Sequence, residues 1–107
     1  MTLPIQAPPH PVPKWDVALE ALSREESLLQ NRPLQLDDFL RLAKTHAIRF
    51  DDIMVTLFEL VLNQRWRYTS KTGVVTPITR DEVNHLYVNG RINEDDVRHY
   101  DGFWSPN

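Results

Sequence analysis

Apolar residues recur with helical spacing over three stretches of the first 64 residues. From about Asp16 to Gln30, Val17, Leu19 or Ala21, Leu22, Leu28 and Leu29 make an incomplete inward stripe, with Asp16 and Glu20 favouring the N-terminal end. Pro33 marks the stop. A second helix is expected from about Asp37 to His46, with Phe39, Leu40, Leu42 and Ala43 inward. A third, from about Asp51 to Gln64, is apolar nearly all round through Ile53, Met54, Leu57, Phe58, Leu60, Val61 and Leu62. Such a helix is central to the core or supplies an oligomer interface as well.

The spacing then changes. Trp66-Arg67-Tyr68-Thr69 alternates with period two, and Val74, Val75, Thr76 and Ile78 are rich in β-branched side chains. Lys71-Thr72-Gly73 between them suits a turn, so a β-hairpin is expected across about residues 66–78, its second strand an edge because of Pro77. Thr79 and Glu82 stand at capping-box spacing and open a fourth helix that ends near Val88. Asn89-Gly90 turns the chain, and Asn93 caps a short fifth helix over Glu94–Tyr100. Phe103 and Trp104 are expected to fold back on the core, because two large aromatics are costly to leave in water. The fold class is therefore mostly α, with about five helices and a small hairpin inserted between the third and fourth.

The first 14 residues break the pattern with Pro4, Pro8, Pro9, Pro11 and Pro13. They read as a flexible Pro-rich arm, with a PxxP spacing at Pro8 and Pro11, ahead of one domain over residues 15–107. No apolar run is long enough to span a membrane, and the N-terminal stretch lacks the regions of a secretory leader, so the cytoplasm is the expected compartment. The chain has no cysteine, which excludes disulfides and thiol chemistry. Its three glycines form no phosphate-binding loop, and no cofactor or catalytic activity is expected.

Charge adds one feature. The chain is acidic, with 15 Asp and Glu against 12 Lys and Arg, yet residues 65–80 carry Arg65, Arg67, Lys71 and Arg80 and no acid. Trp66 and Tyr68 lie between the arginines. The order helix, helix, hairpin suggests a winged helix-turn-helix that contacts nucleic acid through this segment. Against that, Asp51, Asp52 and Glu59 are among the outward candidates of the would-be recognition helix, beside Val55 and Thr56, and acids there oppose a polyanion. Residues 81–107, with six acids and two arginines, offer a complement within the chain. The sequence thus favours a small non-enzymatic regulator or adaptor that binds another protein, or a second copy through the third helix. Nucleic-acid binding is the alternative, and Arg65, Arg67, Lys71 and Arg80 are the contact patch in either case, supported by Trp66 and Tyr68. Asp81/His85 and Asp95/His99 stand four residues apart, so a helix would turn each pair to one side. These four are the residues a metal would use, though no metal is expected from so short a pattern.

Overall fold

The computed structural model describes residues 15–107 except Gly90. The Pro-rich arm and its PxxP spacing lie outside the described residues. Five helices form in the expected order: α1 (Val17–Gln30), α2 (Leu36–His46), α3 (Phe50–Leu62), α4 (Arg80–Leu86) and α5 (Glu94–Val97). Four strands join them: β1 (Trp66–Thr69), β2 (Tyr87–Val88), β3 (Arg91–Ile92) and β4 (Phe103–Pro106). The architecture is mostly helical with a small antiparallel sheet after α3.

Local chemistry sets the helix starts. The Asp16 carboxylate accepts from the Ala18 and Leu19 N–H groups at 2.9 and 3.1 Å. Thr79 and Glu82 form the expected capping box, and Asn93 accepts from the Asp95 N–H. Two helices end on left-handed residues, Asn31 and Ala47. Asn31 bears this conformation at small cost, whereas Ala47 is strained in it.

Helix α3 is the centre of the core. Ile53, Met54, Leu57, Phe58 and Leu60 are buried, and so are Thr56 and Glu59. Thr56 and Glu59 therefore point inward rather than out. Glu59 tolerates this because the Arg80 guanidinium grips its carboxylate through two hydrogen bonds.

The hairpin region departs in detail from the sequence reading. After Thr69 the chain does turn at 70–73, with Gly73 at φ 88°, and returns alongside β1. The Ser70 N–H donates to the Val74 carbonyl and the Thr76 N–H to the Tyr68 carbonyl. That return makes only one bridge, Thr69 to Val75. The full partner of β1 is β4, paired antiparallel from Trp66–Pro106 to Thr69–Phe103. On its other edge β4 exchanges two 2.8 Å backbone bonds with Leu34 through Trp104. The C-terminal segment thus lies between β1 and the α1–α2 connection and carries Trp104 to full burial.

Close backbone approach makes Gly102 necessary. A Cβ there would lie 2.1 Å from the Thr69 carbonyl oxygen and 2.9 Å from the Tyr68 hydroxyl. A Gly102→Ala variant is expected to lose about 2 kcal/mol of stability, since backbone must shift to admit the methyl group. Urea unfolding followed by circular dichroism measures it, and an unchanged midpoint would mean that β1 and β4 part freely.

Two of the inward expectations change. Leu40 is exposed on α2. On α1 the buried side chains are Ser23 and Glu26, while Val17, Leu28 and Leu29 face solvent. An ion pair fixes this rotation: Glu26 meets Arg41 of α2 at 2.9 Å and accepts from Gln30 at 2.8 Å. Leu19 and Leu22 are the apolar residues of α1 that pack against the core.

Candidate interaction face

Strand β1 presents the basic segment. Its alternation turns Trp66 and Tyr68 inward, at 1% and 5% exposure, and leaves Arg65 and Arg67 in solvent. Tyr68 stands 4.8 Å from Trp104, centroid to centroid, and its phenol oxygen accepts from the Gly102 N–H at 2.9 Å. Burial pushes the Tyr68 hydroxyl above its ordinary pKa. Neither aromatic offers a face on which a base could stack.

The four cations have different surroundings. Lys71 pairs with Asp101 at 2.9 Å, inside the acidic C-terminal segment, and holds that carboxyl below its usual range mainly by hydrogen bonding. Arg80 pairs with buried Glu59, and that hydrogen bond raises the arginine's own pKa. Arg67 donates from Nε to the Asn107 side-chain oxygen at 3.1 Å. The Arg65 guanidinium lies over the Trp15 ring, 5.8 Å from its centroid. Among the described residues, Arg65 and Arg67 form no ion pair, so the uncompensated charge of the segment is theirs.

Beside Arg67 the surface opens into a cleft of about 370 Å³. Val61 and Leu62 of α3 form one wall, and Val75, Pro77 and Ile78 of the returning chain form the other. Trp66 also lines it, and the buried Trp66 indole N–H has no hydrogen-bond partner. Arg67, Gln64 and Asn107 supply polar groups to the lining. The arrangement suits an extended segment that brings an apolar side chain to the cleft and an acidic or carbonyl oxygen to Arg67. The valines and Pro77 were legible beside the basic segment. The part played by Asn107 was not, because nothing local joins it to residue 67.

The four residues marked for a metal are not gathered into one site. Helix α5 ends at Val97, so no helix underlies the Asp95–His99 spacing. His85 Nδ1 lies 2.7 Å from the Asp81 carbonyl oxygen rather than its carboxylate, and Asp95 pairs with Arg98 at 3.9 Å. His85 and His99 do line one cavity of about 400 Å³, with Glu82, Leu86, Asp96 and Tyr100. No group of three or more His, Asp or Glu among the described residues is placed to hold an ion.

These features define a class: a small helical domain with one exposed arginine, Arg67, in the lining of an apolar cleft beside a two-stranded sheet. The chain matches no protein-family model, and no curated protein or solved structure matches it. Among the described residues, no helix is long and apolar enough to cross a membrane.

Proposed function

We propose that this chain is a non-catalytic cytoplasmic adaptor or regulator that binds an acidic, partly apolar segment of another protein. The observation that carries this reading is the cleft between α3 and the return of residues 74–78, with Arg67 in its lining. Its walls are apolar. A partner's side chain would remove the walls from water, and its oxygen atoms would meet Arg67. Two of the four cations of the segment are engaged by acids of the chain itself. That leaves a small net attraction for a polyanion and supports protein over nucleic acid.

An NMR titration of the ¹⁵N-labelled chain tests the reading. The probes are a panel of short peptides mixing acidic and apolar residues, a DNA duplex and a single-stranded RNA. Peptides are expected to move the Trp66 indole and Arg67 amide signals. Arg65→Ala/Arg67→Ala should weaken that binding about ten-fold, which corresponds to about 1.4 kcal/mol. Should only DNA or RNA move those signals, with affinity falling by about one power of salt per phosphate contact, the segment is a nucleic-acid ribbon and the proposal falls. Silence from every probe also counts against it.

A further inference from the structure

The cleft beside β1 carries its charge on one residue. Among the described residues that line it, Arg67 is the only charged one. Arg65 lies over the Trp15 ring instead, and Lys71 and Arg80 are held by Asp101 and Glu59. A ligand that enters the cleft therefore meets a single positive charge. One negative charge balances it, whereas a phosphate dianion would stay half uncompensated.

The way Arg67 is held narrows the choice further. The Asn107 N–H donates to the Arg65 carbonyl at 3.0 Å, and its Nδ2 donates to the Gln64 carbonyl at 2.7 Å and the Trp66 carbonyl at 3.4 Å. Both partners of Nδ2 are carbonyl oxygens, so nitrogen must face them and the orientation of the amide is fixed. Oδ1 is thereby left to Arg67, whose Nε donates to it at 3.1 Å. A guanidinium binds anions through paired N–H groups, side-on from Nε and one Nη or end-on from both Nη atoms. With Nε engaged, the side-on pair is closed. The end-on pair is open: Arg67 is exposed, and among the described residues neither Nη atom has a hydrogen-bond partner. Two coplanar donors match two oxygens on one carbon, which is a carboxylate. A lone carbonyl oxygen fills only one of them.

We infer that the cleft is a carboxylate receptor. It takes the side chain of one Asp or Glu in an extended partner segment, bound end-on by both Nη atoms of Arg67, with an apolar neighbour of that acid seated between α3 and residues 75–78. Asn107 is the positioning residue that fixes the plane of the guanidinium. This rests on the reading of the cleft as the binding site for an acidic, partly apolar segment, and it names the group that the site selects.

Amide replacement in the peptide tests it. An acidic, apolar peptide that moves the Arg67 signals is remade with both ends blocked and with each acid in turn changed to its amide, Asp to Asn or Glu to Gln. One replacement should weaken binding about ten-fold or more, and the others should change it little. Arg67→Lys, which keeps the charge and loses the fork, should cost the parent peptide about ten-fold and leave the critical amide peptide unaffected. Asn107→Ala should likewise weaken the parent more than the amide peptide. With no peptide present, the Arg67 Nε–H signal should be sharp in the native chain and broadened by solvent exchange in Asn107→Ala. Circular dichroism checks that both variants keep the helical spectrum. Amide peptides that bind as tightly as their acids, an Arg67→Lys chain that binds as well as the native one, or an Nε–H signal indifferent to Asn107→Ala would each overturn the inference. So would phosphoserine binding more tightly than the acid it replaces, or end-blocking that abolishes binding, which would assign the carboxylate to a chain terminus. In all these cases peptide binding at the cleft leaves the broader reading standing, whereas failure of every peptide to bind ends both.

Discussion

Trp104→Ala is expected to lose about 3–5 kcal/mol of stability, as large aromatic truncations in a fully packed site do. That is a large part of the total for a domain of this size. The ring meets Phe58 edge-on at 5.3 Å, Phe39 at 6.3 Å and Tyr68 at 4.8 Å. Its backbone joins Leu34 on one side and, through β4, Tyr68 on the other. The cavity left behind would open between α2, α3 and the sheet. Urea unfolding read by circular dichroism should show a much lower midpoint with little change in slope, and Trp104→Phe should recover most of the loss. A cost below about 1 kcal/mol for Trp104→Ala would mean that the C-terminal segment does not complete the core.

Asp38→Ala carries the second large effect, about 3 kcal/mol at neutral pH. The Asp38 carboxylate accepts from Arg32 at 2.8 and 2.9 Å, from Arg41 at 2.8 Å and from the Gln35 N–H at 2.8 Å. The Arg32 hydrogen bonds are the main reason its pKa lies at about 2, below the ordinary 3.8, against the opposing pull of burial. A depressed carboxylate stabilises the fold above its unfolded pKa, and that stability is lost as pH falls through the folded value. The shift corresponds to about 2 kcal/mol, and the Gln35 N–H left at the start of α2 adds about 1. The gap between native and variant chains should therefore stay constant above pH 4 and narrow by about 2 kcal/mol toward pH 2. Urea midpoints across that range measure it, and a gap independent of pH would show that the two arginines do not hold Asp38 ionised.

What the sequence made legible was the local chemistry. Thr79 and Asn93 cap helices because a side-chain oxygen two or three residues before a free N–H needs nothing else to reach it. The alternation of Trp66 and Tyr68 with Arg65 and Arg67 assigned the inner and outer faces of β1 before any partner was known. The partner itself was hidden. Residues 74–78 carry β-branched side chains and lie nearby, but β4 wins because it brings Trp104 beside Tyr68 and Phe58. The rotation of α1 was hidden for a related reason: its leucines suggest one face, and an ion pair from Glu26 to a residue of another helix selects a different one. Lys71 and Arg80 are visibly basic, but only the folded chain brings Asp101 and Glu59 to them. The Arg67 cleft likewise draws in Asn107, which sequence proximity does not bring to residues 61–78.

The pairing of β1 with β4 also governs time. The helix pairs α1–α2 and α2–α3 are near neighbours in the chain and need only short loops to meet. Arg67 and Asn107 are 40 residues apart, and bringing ends so distant together costs about 3 kcal/mol of chain entropy before any contact rewards it. Helices form in about a microsecond, so the slow event is the search by which the last strand finds the first. The folding rate of this mostly helical chain is consequently set by its four-residue strands, and it should fold more slowly than a helical bundle of its length.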